Sequence, residues 1–543
     1  MNGIELYSTE LKRAAFPGEC GVSARGISDF IDGLDSRGVY WHSLMFIRDG
    51  KVAFETHKAP YGRDIPHCMF SISKNMTCIA LGFALEENRL SLDDRLLDFF
   101  PERRPEKRDE KLEKLKVRHI ASMSAGKAPG YLLKKTDRDW LAHFFDAKWA
   151  AAPGEQFSYI DECRFVLASV RRKAVCMTLT EYLTPRLWEP LGIKTPYWET
   201  DFYGTEAGGW GICLTPDDFA KVFLCVTQRG VFNGRQIIPA RFLDSALLNQ
   251  SVTKNDPGPC KKEGYGFSFW RRSDTVFCGE GMYGQIAAAD EKNKLLIITT
   301  GSESNTGKIW NTFFELRDSL VTDRTAEPSP EEAALAEKVR GLSADDIAPS
   351  AIRSAIEKDI TGRTFRTSFG KTGTLLGFPL SVIPPATVYM NKDRGGNITE
   401  VRLDFEKDCC VFTWTENGAE NSVRCGMDGK YRSSDTYLCS SPYRFASYAR
   451  WRDHRTLELH LRPLTAVGKR ILRFDFSDMT DIKMIPSTDP PVDIILRDVT
   501  GILESVSENP AYRAGIHALI RKLISAAEPV HKLRGTNERT DRI

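Results

Sequence analysis

The stretch Met69-Phe-Ser-Ile-Ser-Lys-Asn-Met-Thr-Cys-Ile-Ala-Leu-Gly-Phe-Ala-Leu-Glu-Glu-Asn-Arg-Leu90 sets an unusual pair of polar residues at the head of an apolar helix. From Ser71 onward the apolar residues Ile79, Leu81, Phe83, Ala84 and Leu85 recur at helical spacing, and Glu86, Glu87 and Asn88 close the segment. Ser71 stands where an N-cap is expected. Lys74 follows three residues later and shares its face. A lysine beside a serine at a buried helix start is either a snorkelling surface residue or part of an activated nucleophile.

The remaining chain bounds the reading. With 543 residues, two or three domains are expected. A net charge of +2 with 27% charged residues gives no footprint for nucleic acid. The longest apolar runs, such as Leu295-Leu-Ile-Ile-Thr-Thr, are strand-sized and too short for a membrane span. The first residues lack the basic start and apolar core of a signal peptide. The 13 cysteines include no C-x-x-C pair, and no H-E-x-x-H occurs. Reduced thiols, a cytoplasmic location, no metal and no cofactor are therefore expected.

Organisation changes along the chain. Residues 1–322 open with a helix (Ser23 to Leu34) and a hairpin turning at Asp49-Gly50. Helices dominate from 71 to about 250, and strands return at Tyr265–Trp270, Gly281–Ala289 and Leu295–Thr300. One antiparallel sheet built from both ends of this domain, flanked by helices, is expected. Residues 323–360 read as a charged linker and a short helix starting at Ser329-Pro330. Residues 361–505 alternate in the β period and predict a barrel-like or strongly curved sheet. Residues 506–543 predict a helix (Ala511 to Ala526) and a polar basic end that frays.

S-x-x-K occurs four times, at Ser71–Lys74, Ser124–Lys127, Ser251–Lys254 and Ser368–Lys371. Only the first joins a strand and short loop to an apolar helix, where the helix's positive end favours an oxyanion. Further landmarks follow in order. Ala152-Pro-Gly-Glu-Gln-Phe-Ser-Tyr-Ile-Asp161 sets Tyr159 ahead of a helix. Next come Ala207-Gly-Gly-Trp-Gly, Asn233-Gly-Arg-Gln-Ile-Ile-Pro-Ala and Cys278-Gly-Glu-Gly-Met-Tyr-Gly-Gln285.

With His42-Ser-Leu-Met, Leu90-Ser-Leu-Asp-Asp and Val117-Arg-His-Ile-Ala-Ser-Met-Ser-Ala-Gly126, these segments resemble the serine β-lactamase and penicillin-binding-protein-like superfamily. The likeness is to its class C side, which includes β-lactamase-fold esterases and 6-aminohexanoate-dimer hydrolases, and it spans roughly residues 17–322. It implies an α+β β-lactamase/transpeptidase-like fold and a serine hydrolase acting on a small ester or amide. Ser71 would be the acylated nucleophile, Lys74 would keep the proton network poised, and Tyr159 would be the general base. The backbone N–H groups of Ser71 and Met282 would form the oxyanion hole, and Gly281 would let substrate approach the strand. Asp161, Tyr283 and Gln285 would line the substrate site, although Gln285 could as well tie down a turn.

Two departures bear on substrate. Asp161 stands where the family usually has Asn, and Gly279-Glu280-Gly281 replaces a motif that usually opens with Lys or His. Carboxylate-bearing substrates are therefore expected to be disfavoured. A true β-lactamase or D,D-peptidase, and a catalytically inactive binding protein of the same fold, are the alternatives. Lys371-Thr372-Gly373 spells the family's third motif but lies beyond the strand expected to close the sheet. Trp210 and Trp270 read as packing residues, Cys278 as a small buried residue, and His454 and His460 as surface positions on strands. In some relatives an appended barrel covers or shapes the cleft. No nucleic-acid or membrane partner is expected, and the oligomeric state is left open.

Overall fold

A computed structural model describes residues 8–128, 139–253, 263–343, 347–367, 398–416, 418–438, 441–489 and 530–535, with single positions between 491 and 521. The Lys371-Thr372-Gly373 motif, Ser368 and Lys254 lie outside the described residues, as does most of the helix expected over 511–526. The chain divides into two compact units, residues 1–343 and 344–543.

The first unit is built on an eight-stranded sheet. Its strands are β1 (Lys12–Arg13), β2 (Trp41–Arg48), β3 (Lys51–His57), β4 (Gly264–Tyr265), β5 (Trp270–Ser273), β6 (Val276–Gly281), β7 (Gln285–Asp290) and β8 (Leu295–Gly301). The order is β1-β3-β2-β8-β7-β6-β5-β4, so the two ends of the domain meet where β2 pairs antiparallel with β8. Only β1 runs parallel to its neighbour. The β2–β3 turn uses Asp49 and Gly50, both at positive φ (49° and 81°), as a two-residue hairpin demands.

Two strands are shorter than the sequence suggests. Tyr265–Trp270 is split between β4 and β5. The run expected over Gly281–Ala289 breaks into β6 and β7 at a 3₁₀ turn, Met282–Gly284, where Tyr283 has φ 64° and Gly284 φ 87°. The uniform apolar pattern hid both left-handed positions.

Helix α1 (Ala24–Ser36) is capped by Ser23, whose hydroxyl accepts from the Gly26 N–H. The central helix, α2 (Ser73–Glu86), is buried along every residue from Ser73 to Ala84, which is why it is apolar on all sides. Helices α3 (Glu162–Val175) and α4 (Pro216–Thr227), with α5 (Gly307–Leu316), enclose the remaining core. A further helix, α6 (Pro330–Leu342), begins at a Ser329–Glu332 capping box. It joins this first unit because Leu335 is buried in its core and Lys338 pairs with Asp32 of α1 at 2.6 Å.

The second unit is a closed nine-stranded β-barrel. Its strands are β9 (Thr364–Thr367), β10 (Ile398–Phe405), β11 (Cys409–Glu416), β12 (Ala419–Gly426), β13 (Arg432–Leu438), β14 (Ser441–Trp451), β15 (Thr456–Pro463), β16 (Lys469–Asp475), β17 (Ile482–Asp489) and β18 (His531–Gly535). The ring runs β12-β11-β10-β9-β18-β17-β16-β15-β14 and closes at Gly426–Tyr448, with β13 paired on β14 outside it. Phe412, Trp414, Leu459, Leu472 and Phe474 fill it.

Part of the basic end is therefore ordered as β18, held by the buried Leu533; one leucine among polar residues gave little sign of it. His460 is likewise buried, stacked on Tyr448 at 4.3 Å, and His454 lies in an exposed turn. Among the described residues no helix is long and apolar enough to cross a membrane.

Gly82 shows how tightly α2 is held. A Cβ there would lie 2.4 Å from the Phe242 ring. Gly82→Ala should lower stability by about 1–3 kcal/mol through overpacking, measured by denaturant unfolding; an unchanged midpoint would mean that Phe242 moves aside freely.

Candidate active site

A two-residue ladder fixes the start of α2. His67 and Cys68 pair antiparallel with Leu214 and Cys213, and the Met69 N–H donates to the Ile212 carbonyl at 2.9 Å. The chain then reverses at Phe70, which has φ 47°, an uncommon conformation for a bulky residue. Ser71 lies in the middle of the 3₁₀ turn Phe70–Ile72 that leads into α2. It is not the N-cap that the sequence suggested. That position belongs to Ile72, which provides no side-chain cap, so the Ser71 hydroxyl is not spent on capping.

Lys74 is 1% exposed; its Nζ donates two hydrogen bonds and makes one ion pair. Its Nζ lies 2.8 Å from Ser71 Oγ, 2.8 Å from the Gly209 carbonyl oxygen and 2.6 Å from Asp161 Oδ1. Gly209 belongs to the Gly-Gly-Trp-Gly segment, whose glycines let it wedge between α2 and α3. A Cβ at Gly208 would lie 2.5 Å from the Arg164 carbonyl. The Gly208 carbonyl accepts from Thr77 Oγ1 at 2.7 Å. The sequence marked this segment but not its purpose, which is to supply the lysine with an acceptor.

Tyr159 precedes α3, and the Ser71 side chain beside its phenol favours the ionised form. Its ring stacks on Trp270 (5.3 Å between centroids) and meets Tyr265 edge-on at 6.0 Å, while Lys74 Nζ lies 4.8 Å from its centroid. The residue as a whole is 37% exposed. Burial of the phenol and the carboxylate of Asp161 together push its pKa upward. Ser71, Lys74, Tyr159 and Asp161 thus form one connected group.

The strand side of the site differs from expectation. Gly281 has an ordinary extended conformation, and a Cβ there would lie 2.3 Å from the Met69 carbonyl oxygen. Its small size serves close packing of β6 against the loop before Ser71. Met282 begins the 3₁₀ turn that follows. Tyr283 and Gln285, both expected to line the substrate site, are buried. Tyr283 packs on Phe70 at 5.3 Å. Gln285 binds backbone instead, with its Nε2 donating to the Met282 and Gly301 carbonyls at 3.0 Å each and its Oε1 accepting from the Gly301 N–H at 3.2 Å. Gln285 ties down the turn that carries Met282. Trp210, Trp270 and Cys278 are buried, as their apolar surroundings suggested.

Glu280 is not a free charge facing substrate. Its carboxylate pairs with Arg272 and accepts from Thr306 Oγ1 at 2.9 Å and Trp310 Nε1 at 3.3 Å. The Arg272 guanidinium lies 4.2 Å over the Trp310 ring. Of the other S-x-x-K pairs, Lys127 is buried on the Phe145 and Ala147 carbonyls at 2.8 Å each, and Ser124 bonds to Ser122. Ser251 donates to the Ser122 carbonyl at 3.0 Å. None of these side chains contacts Ser71 in the contacts described.

Residues 27–308 match the family model for Beta-lactamase. The chain belongs to the Beta-lactamase family. It is thereby a member of the serine β-lactamase and penicillin-binding-protein-like superfamily, whose members are typically serine hydrolases. Among solved structures it is similar to a candidate 6-aminohexanoate-dimer hydrolase from Bacillus anthracis (21% identity, TM-score 0.47, covering 57% of this chain and 86% of the other). A penicillin-binding protein from Bacillus halodurans is similar at 14% identity and TM-score 0.43, covering 53% and 99%. An octameric penicillin-binding protein homologue from Pyrococcus abyssi is similar at 16% and 0.42, covering 80% and 97%. No curated protein matches.

Behind the Ser71 loop runs a buried hydrogen-bond chain. Ser302 Oγ lies 2.8 Å from His42 Nε2, His42 Nδ1 lies 2.9 Å from His67 Nε2, and His67 Nδ1 lies 3.1 Å from the Cys68 carbonyl. The carbonyl can only accept, so His67 donates from Nδ1, and with its ring neutral its Nε2 accepts from His42 Nδ1–H. Burial depresses the His67 pKa from 6.5 to about 4. A depressed histidine leaves the unfolded state with more bound protons below pH 6.5. Stability should therefore fall as pH drops from 6.5 towards 4, by about 3 kcal/mol from this group. Denaturant melts across that range should be flatter for His67→Gln than for the wild type; equal slopes would remove His67 as the cause.

Proposed function

We propose that this protein is a serine hydrolase that cleaves an ester or amide through a Ser71 acyl-enzyme, and that it is not a true β-lactamase. The observation that carries the reading is the Lys74 Nζ to Ser71 Oγ contact of 2.8 Å at the buried start of α2, with the Tyr159 ring 4.8 Å from the same Nζ.

In this reading Ser71 Oγ attacks the substrate carbonyl and its proton passes to Tyr159. The carbonyl electron pair becomes an oxyanion, received by the backbone N–H groups of Ser71 and Met282. Collapse expels the alcohol or amine, which takes the proton back from Tyr159. Water then enters by the same route and releases the acid.

The substrate class follows from where the cations are committed. Lys74 is paired with Asp161, Arg272 with Glu280, and Arg164 donates to the Ile120 and Ala121 carbonyls at 2.8 and 2.9 Å. None of the three is left to hold a carboxylate, which supports a neutral ester or amide over a penicillin-like anion. Asp161 and Glu280 do not act as the free acids expected from the sequence, because each is paired with one of these cations. A cytoplasmic location is proposed on the cysteine pattern, and no disulfide joins the described cysteines.

A second reading, a catalytically silent member used for binding, draws on the raised phenol of Tyr159, which makes a poor resting base. The two separate cleanly. Incubation with a fluorophosphonate should add one mass adduct, mapping to Ser71. Ser71→Ala should abolish it and lower p-nitrophenyl ester turnover by at least about 10⁴-fold. A folded protein that takes no adduct and shows no turnover would favour the silent reading.

Matched esters with neutral and carboxylate-bearing acyl groups give the second check. The neutral ester should have the higher kcat/KM, and the reverse order would mean that a cation outside these three reaches the site.

A further inference from the structure

We propose that Asp161 is a positioning residue, an internal counter-ion that commits Lys74 to donating toward Ser71 and so leaves Tyr159 to receive the serine proton. The inference rests on the Ser71 hydrolase reading and deepens it.

Asp161 occupies the N-cap position of α3, where aspartate ordinarily accepts from the first turn of its own helix. Here the side chain makes no such bond and reaches Lys74 Nζ instead, at 2.6 Å. The ammonium also donates to Ser71 Oγ and to the Gly209 carbonyl, both neutral oxygens, so the carboxylate is its counter-ion. An ammonium so paired has no lone pair on nitrogen to take the Ser71 proton. The Tyr159 hydroxyl is the other titratable group that interacts with the Ser71 side chain. Written in full, the Ser71 Oγ–H bond breaks as Oγ bonds to the carbonyl carbon. The proton goes to the Tyr159 phenolate, and the carbonyl π electrons go to oxygen.

This arrangement has a consequence for pH. The charged and titratable groups facing Tyr159 are Lys74 from α2, Asp161 and Arg164 from α3, Glu280 from β6 and Tyr265 from β4. Asp161 offsets Lys74 and Arg272 offsets Glu280. Arg164, which donates to backbone carbonyls, is the cation left to favour a phenolate, and it is opposed by burial and by Asp161, both of which raise the phenol. The reactive fraction therefore grows as pH rises, and removing the Asp161 charge should bring it in at lower pH.

The experiment uses the full chain with Asp161→Asn, which keeps an oxygen acceptor for Lys74, and Asp161→Glu, which keeps the charge. The pH dependence of fluorophosphonate labelling at Ser71 is measured for both and for the wild type. Phenolate absorbance is followed in parallel as the difference between each protein and its Tyr159→Phe counterpart. For Asp161→Asn the limb should move to lower pH, each unit of displacement reading as about tenfold faster labelling at a fixed pH. The Tyr159 difference titration should move with it, and Asp161→Glu should restore the wild-type position. A limb and a titration that stay in place in a folded Asp161→Asn protein would overturn the proposal. So would an unmoved limb with altered preference between amine- and carboxylate-bearing esters, since Asp161 would then face substrate. If no variant labels at Ser71, the hydrolase reading falls, while the difference titration still decides whether Asp161 acts on Tyr159.

Discussion

A lysine ammonium buried at the head of an all-buried helix is the constraint around which the first unit is arranged. Removing one partner of such a buried charge typically costs about 3–5 kcal/mol, so its acceptors must come from somewhere. Here they come from three separate segments: Ser71 one turn back, the Gly209 carbonyl and Asp161. Satisfying Lys74 forces the Gly-Gly segment against α2, and that in turn needs a residue without a side chain at Gly208, where a Cβ would lie 2.5 Å from the Arg164 carbonyl. It also pulls Asp161 away from the helix it would otherwise cap. The lysine thereby docks the elements that form the floor of the site.

The strand side is held by a different device. Phe70 and Tyr283 are both left-handed, both buried, and their rings touch. One precedes Ser71 and the other follows Met282. Strain at the two positions proposed to frame an oxyanion is matched by their mutual packing and by the Gln285 amide, which ties the Met282 carbonyl of the turn to Gly301 of β8. The turn cannot shift without leaving a buried amide unsatisfied.

Much of this was legible in the sequence. The serine–lysine pair, the tyrosine ahead of a helix and the meeting of distant strands in one sheet follow from period, turn chemistry and motif order, and β2 does pair with β8. The barrel was visible as alternation, because each strand has one face in the core. What escaped was whatever depends on partners far apart in the chain. Gln285 looks like a pocket residue until its two carbonyls are located, and Glu280 looks like a free acid until Arg272 is found across the β5–β6 hairpin. The strand break at Met282 escaped because alternation carries no sign of φ. Leu533 escaped because one buried leucine sets no period.

Electrostatics, more than shape, distinguishes this site within its fold. A site that meets an anionic substrate needs a cation left over after internal pairing. The sequence keeps Lys74 and Arg272 but gives each a carboxylate, at 2.6 Å for Lys74 and in direct contact for Arg272. Both pairs are largely buried, so salt and solvent screen them weakly and substrate cannot cheaply borrow either cation. The pairing from which a preference for neutral acyl groups is proposed also sets the Asp161 charge beside Tyr159, where it raises the phenol. The proposed selectivity and the proposed alkaline-favoured base are therefore two readings of one charge balance, and mutation at Asp161 should disturb both.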